Sequence, residues 1–402
     1  MNPLIKSYLH DHEQEMLDLL EELVCIQSGS RNKKGVDRVG KRVRLEMEPL
    51  GFSCEFQQET ECGNHLIARS RGTDPNPDQV LNPGQAPNQG QNQYPVQDQK
   101  QILITGHMDT VFPMDTAFNY YWENEAQCYG PGVADMKGGL VVGIFALKAL
   151  VRTGLLSKTP ICFIFNSDEE IGSPSSRGLI QKEARKSRLA YVLEAGGLSG
   201  EIVTGRKGSL SVRLTVEGRA GHAAFAGRDK ASAILEMAHK TIAVEAMNQP
   251  EKGISANVGL IEGGIGPNTV AQHARAALDF RYLEPGDDEW VKARLEKIAG
   301  LQTITGTRTF LEIAGGRPPM PQTPANTRLY HQIQSLAQAL EIPVKPELRP
   351  GVSDANLIAE QGVPVIDGLG PMGAKDHSED EYIEKKSLFD RTLLFAHILA
   401  DI

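Results

Sequence analysis

Residues 102–113 read ILITGHMDTVFP. Ile102, Leu103, Ile104 and Thr105 are β-branched or apolar and predict a buried strand, which Gly106 ends just before a polar triplet. His107 and Asp109 therefore stand at a strand's C-terminal end, where the ligand and catalytic groups of open α/β sheets collect. Residues two apart on extended chain point to the same side, so the Asp109 carboxylate is expected to reach the His107 imidazole. A carboxylate on one ring nitrogen leaves the other for a metal. Alone, His-x-Asp at a strand end is more often a turn or a satisfied polar pair, and its weight comes from the acidic groups further along the chain.

The chain has 402 residues, more than one ordinary core organises, and at about 150 residues per domain it suggests two or three domains, of which two are expected. A net charge of -9 and a pI near 5.7, with Lys and Arg scattered, leave no footprint for nucleic acid. No apolar run approaches the roughly 20 residues that span a bilayer, and the N-terminus is amphipathic and acidic rather than signal-like, which predicts a cytoplasmic protein without a membrane partner. Five dispersed cysteines with no CxxC indicate free thiols rather than a disulfide framework or a zinc knuckle.

Upstream, helical spacing predicts helices over 8–27 and 36–50, the second closed by Gly51, and strands over 52–58 and 65–71. From 72 to 101 the chain turns rich in Pro, Asn, Gln and Gly, a solvated insertion between strands. Downstream, GPGVADMKGG (130–139) places Asp135 where an N-cap would stand, ahead of an apolar helix over 140–150; capping alone would explain it. The strand 160–166 ends at Asp168, Glu169 and Glu170, carboxylates that are costly to hold together without cations or water. A further strand, 190–193, ends at Glu194. Imidazole and carboxylate donors suit zinc, manganese or cobalt, and one short Asp shared by two ions would account for the surplus of acidic groups. No HExxH, Walker A or GxSxG competes.

Beyond about 207 the alternation of strands (209–217, 255–261, 274–282) and helices (229–247, 287–300) describes a β-α-β-β-α-β sandwich inserted in the larger domain. It carries Gly221-His222, Gly266-Pro267-Asn268 and Arg281, each by itself more often a loop or surface residue. After about 318 the chain resumes α/β character: a helix over 326–340, the segment Gly351-Val352-Ser353-Asp354, a strand over 363–367 and a C-terminal helix from about 385. His377 stands in an acidic loop just ahead of that helix, either solvated and idle or the second imidazole of a two-metal site.

GHMDTVFP, GPGVADMKGG, SDEEIGS, the strand-end Glu194 and KDHSEDE, in this order, resemble the di-zinc metallopeptidase family of glutamate carboxypeptidase, aminoacylase and succinyl-diaminopimelate desuccinylase, over nearly the whole chain. The resemblance implies an α/β fold: a zinc-peptidase-like catalytic domain with a mixed central sheet flanked by helices (1–207 and 318–402), plus an inserted α+β, ferredoxin-like lid or dimerisation domain (208–317). It implies two divalent ions, zinc or alternatively cobalt or manganese, bridged by Asp135. One is also held by His107 and Glu194, the other by Glu170 and His377. Asp109 would orient His107, and Glu169 would be the general base. GRAGHAAF places His222 at the family's oxyanion-binding position, supplied in dimeric members by the neighbouring subunit. Asn268 and Arg281 fall where the family contacts the substrate's carboxylate, and Gly351 in its substrate-contacting glycine loop.

The implied activity is hydrolysis of an amide bond beside a free C-terminal carboxylate, in a small peptide or N-acyl amino acid, by a homodimer. Glu rather than Asp at 194 resembles carboxypeptidases and deacylases; an aminopeptidase or dipeptidase, or an inactive metal-binding homologue, are the alternatives. Two departures stand: Ala-Gly follows Glu194, and the 72–101 insertion lies outside the family pattern.

Overall fold

Apolar side chains at helical spacing bury Ile5, Leu9, Met16, Leu19, Leu20 and Leu23 along the N-terminal stretch. It forms two helices, Pro3–Asp11 and Glu13–Val24, rather than one. The break falls at His12, whose Nδ1 meets the Tyr8 carbonyl at 2.7 Å while its ring stacks on Tyr8, a side-chain bond that competes with the helical ladder. The computed structural model describes residues 2–70 and 100–402. The expected insertion therefore lies outside the described residues except for Lys100 and Gln101, and Gln101 already opens a strand.

The chain divides into two compact units, one of Met1–Thr204, Gln322–Glu347 and Ser353–Ile402, the other of Gly205–Pro321 and Leu348–Val352. The first is α/β. Its six-stranded sheet runs Ser53–Gln57, His65–Arg69, Ile161–Asn166, Gln101–His107, Ser187–Val192, Val365–Ile366. The first two strands are antiparallel, the next join is antiparallel, and the last four strands are mutually parallel, so the sheet is mixed. Gln101–His107, buried on nearly every residue, is flanked by parallel neighbours, so three strand ends open side by side. The apolar helix Gly138–Thr153 packs on this sheet. Gly139 allows it, since a Cβ there would stand 1.8 Å from the Leu193 carbonyl oxygen.

The second unit is an α+β sandwich in the expected β-α-β-β-α-β order. Its antiparallel sheet runs Ser255–Gly263, His273–Tyr282, Gly208–Glu217, Arg308–Arg317, and packs against helices Ala233–Glu245 and Asp287–Gly300. A core of its own joins Leu210, Val212, Leu214, Met237, Leu278, Phe280, Val291 and Leu295. All five cysteines are free thiols, and among the described residues no helix is long and apolar enough to cross a membrane.

Candidate metal centre

Parallel pairing of three strands brings their C-terminal ends together, and with them His107, the turn carrying Glu169 and Glu170, and Glu194. Asp135 arrives from a wide turn, Val133–Lys137, ahead of helix Gly138–Thr153. The N-cap of that helix is Lys137, so the expected capping role for Asp135 does not hold; its own φ of -114° and ψ of 89° are non-helical. His377 comes from the loop between the short paired strands Gly373–Ala374 and Tyr382–Glu384, and holds a left-handed φ of 63° that a non-glycine residue rarely adopts.

Asp135 lies between the two imidazoles. Its Oδ1 is 3.0 Å from His107 Nε2 and its Oδ2 is 3.1 Å from His377 Nε2. Glu194 Oε1 stands 3.7 Å from His107 Nε2, and Glu170 Oε2 stands 3.4 Å from His377 Nε2. Ligands held about 2.0–2.2 Å from a tetrahedral ion are separated from one another by about 3.3–3.6 Å, and the four observed separations bracket that value. Buried Glu170 Oε1 has no hydrogen-bond partner. Burial and the Asp135 charge push Glu170 up to about 8, and the same two effects hold Glu194 well above the usual carboxylate range. Burial alone would depress His107, but the charge of Glu194 and the contacts with Asp109 and Asp135 hold it well above its ordinary value. Contacts with Asp135 and Glu170 lift His377 to about 11. Carboxylates that resist ionising beside imidazoles that resist neutrality describe a site short of positive charge, and the donor set fits divalent metal.

The remaining predicted residues have plain positions. Asp109 meets His107 chiefly through its backbone: Nδ1 is 2.9 Å from the Asp109 carbonyl and 3.5 Å from its carboxylate. The carboxylate instead accepts from Ser30 Oγ at 2.7 Å and from the backbone N–H groups of Glu169 and Glu170 at 3.2 and 3.3 Å, and so fixes the acidic turn. In the second unit, exposed His222 and Asn268 lie together where Gly221–His222 pairs with Thr269–Val270, and Ala223 N–H donates to the Asn268 carbonyl at 2.9 Å. Arg281 donates to Asp279 from Nε at 2.8 Å and from Nη2 at 3.2 Å. The Gly351 carbonyl accepts from Arg206 at 2.9 Å.

Sequence reasoning passed over the residues that hold the turns. Glu381, fully buried, accepts from the backbone N–H groups of Gly132, Ala134 and Asp135 at 3.0, 2.8 and 3.0 Å, and so ties the His377 loop to the Asp135 turn. Asp354 accepts from Asn166 at 2.7 Å and Ser173 at 2.5 Å on either side of the acidic turn. The acidic run around His377 was the only signal for Glu381, and it did not single that residue out.

Fold and donor set together define a class, an α/β protein with a candidate metal centre at its strand ends. The chain belongs to peptidase family M20/M25/M40, whose sequence model matches residues 103–401. Carboxypeptidase G2 of Pseudomonas sp. is 25% identical over 398 residues, covering 98% of this chain and 90% of that protein. The succinyl-diaminopimelate desuccinylase of Cupriavidus taiwanensis is 29% identical over 401 residues, covering 92% and 94%. Among solved structures, the M20 family metallo-carboxypeptidase Sso-CP2 from Sulfolobus solfataricus superimposes with a TM-score of 0.73 at 19% identity, over 96% of this chain and 98% of that one. Aminopeptidase PepT from Bacillus cereus gives 0.77 at 22%, over 97% and 98%.

Proposed function

We propose that this chain is a zinc-dependent hydrolase that cleaves an amide bond next to a free C-terminal carboxylate, in a peptide or an N-acyl amino acid. The observation that carries the reading is Asp135, with each carboxylate oxygen facing a different imidazole and Glu194 and Glu170 at the two flanks. His107, Asp135 and Glu194 would hold one ion; Asp135, Glu170 and His377 would hold the other. The ions, zinc or else cobalt or manganese, would polarise the scissile carbonyl and lower the pKa of an attacking water toward neutrality.

Glu169, next to Glu170 on the same turn, takes the proton from that water and returns it to the leaving amine. Asp109 positions the Glu169 turn through its two backbone N–H contacts. Arg281, with Asn268, binds the substrate's carboxylate; its contact with Asp279 uses Nε and Nη2 and leaves Nη1 to donate. His222 stabilises the oxyanion in the active site of a neighbouring copy, within a homodimer formed by the domain at 208–317, and Gly351 lies in the substrate loop. Free thiols favour a reducing, cytoplasmic setting. The relatives named as a carboxypeptidase and a desuccinylase support the choice of substrate class.

A panel of N-acyl amino acids, their C-terminal amides and unblocked dipeptides, assayed with added zinc or cobalt, tests the reading. Hydrolysis of blocked acids but not of their amides is expected. Activity confined to substrates with a free N-terminus would replace the reading with an aminopeptidase or dipeptidase.

A further inference from the structure

The hairpin between strands Ser53–Gln57 and His65–Arg69 carries a second group of donors, distinct from those of the candidate centre. Its turn gathers the Glu59 carboxylate, the Cys62 thiol and the His65 imidazole, one donor atom from each lying within 4.8 Å of the others. Cys62 and His65 are buried and Glu59 is half-buried.

Ser167 Oγ donates to the Gly63 carbonyl, so toward His65 Nδ1, 3.0 Å away, it accepts. With the imidazole proton on Nδ1, Nε2 carries a lone pair. Nε2 faces Ser175 Oγ at 3.0 Å and Glu59 Oε1 at 3.6 Å. Ser175 Oγ gives its own hydrogen to Asp168 Oδ2 at 2.7 Å, and Cys62 Sγ is 3.2 Å from the same hydroxyl. An imidazole nitrogen, a hydroxyl oxygen, a sulfur and a carboxylate that also accepts from Gln57 Nε2 at 2.9 Å thus converge. Imidazole, thiol and carboxylate donors gathered this closely are the set that holds a divalent ion of the zinc class.

We propose that this hairpin is a further metal site, binding a zinc-class divalent ion through Glu59, Cys62 and His65. Sulfur and imidazole donors suit zinc and cobalt and disfavour calcium and magnesium, which take oxygen shells. Cys62 gives up its proton on binding, and the three ligands come from seven consecutive residues of one hairpin. Through Ser175 and Asp168 the ion is connected to the turn that carries Glu169 and Glu170.

Cobalt provides the test, because the candidate centre contains no sulfur donor. Metal-stripped protein titrated with Co2+ should develop sulfur-to-cobalt charge-transfer absorption in the near ultraviolet, its full amplitude corresponding to one bound equivalent per chain beside the two taken by the candidate centre, and erased by competing Zn2+. The band should vanish in Cys62→Ser, which should bind one equivalent less cobalt, and require more cobalt in His65→Gln. It should persist in Cys25→Ser, which removes an exposed thiol, and in Glu170→Gln. A wild-type protein without the band overturns the proposal, as does a band undiminished in Cys62→Ser. Should Cys62→Ser fail to fold, the wild-type spectrum and a Glu59→Gln titration decide, and an unshifted titration in both Glu59→Gln and His65→Gln also overturns it. None of these outcomes bears on the hydrolytic reading, which the substrate panel tests separately.

Discussion

Glu169 and Glu170 are consecutive on one short turn, and Glu170 stands 3.4 Å from the His377 imidazole, which divides their proposed tasks. Glu169→Gln is expected to keep full metal content and lose at least the ~10²-fold in turnover typical of a missing general base; metal analysis beside kcat checks it, and wild-type turnover would refute it. Arg281→Ala removes a charge-assisted contact of about 1.5–3 kcal/mol, so kcat/KM for acids should fall by about one to two orders of magnitude while the preference for acid over C-terminal amide nearly disappears. If the mutant discriminates as well as wild type, the pairing with Asp279 is all Arg281 does. Glu381→Ala strips the acceptor from three backbone N–H groups around Asp135, and zinc retention against a chelator should weaken about 10–100-fold, as outer ligand supports do. Unchanged retention would make Glu381 a matter of folding alone. Legibility at this scale follows distance along the chain. His107, Glu170 and Glu194 follow the ends of strands, Asp135 precedes a helix and His377 stands in a conspicuously acidic loop, whereas Glu381, Ser30 and Asp354 act on groups up to 249 positions away, which no local pattern encodes.

Elements fare differently. Long periodic stretches were readable to within a few residues, including the α+β order of the second unit. The break at His12 was not, because a side-chain bond to Tyr8 rather than a Gly or Pro makes it. Nor was the small sheet of Gly373–Ala374, Tyr382–Glu384, Gln127–Tyr129 and Trp122–Glu123, whose strands of two or three residues are too short to show alternation. That sheet carries the His377 loop, so the position of one donor depends on an element the sequence hides. Helix Arg177–Arg185 is fastened to the main sheet by buried Glu183, which accepts from Arg69 at 2.9 Å, Gln101 at 3.1 Å and Lys186 at 2.8 Å. Burial opposes ionisation of Glu183, but these three donors win and bring it from its ordinary 4.5 down to about 2. The unfolded chain therefore binds the proton more readily, so this contribution to stability is complete above about pH 4.5 and drains away as pH falls toward 2. Thermal melts from about pH 6 to about pH 2 should show Glu183→Gln flattening the acid limb of the wild-type curve; superimposable acid limbs would remove the group from that role.

At the scale of the molecule, the second unit ends its sheet on Ser255–Gly263, an outer strand that exposes Leu260 and Ile261 at about half their surface, and its helix Ala233–Glu245 exposes Ile242 at 69%. Open apolar edges invite pairing with a like edge, and a closed C2 dimer is the simplest outcome. If the copies exchange His222, mixing inactive His222→Ala with inactive Glu169→Gln chains should restore part of the activity once subunits exchange. Mixed dimers that stay inactive after verified exchange would rule that arrangement out. The proposed donors of the centre are strung from His107 to His377, with the whole of the second unit synthesised between Glu194 and His377. A ribosome makes this chain from one end, so a nascent or clipped product that stops short of His377 has every donor but one and cannot assemble the pair of imidazoles around Asp135. If these donors hold the proposed ions, hydrolytic competence arrives late in the making of each molecule, only once residue 377 has been added.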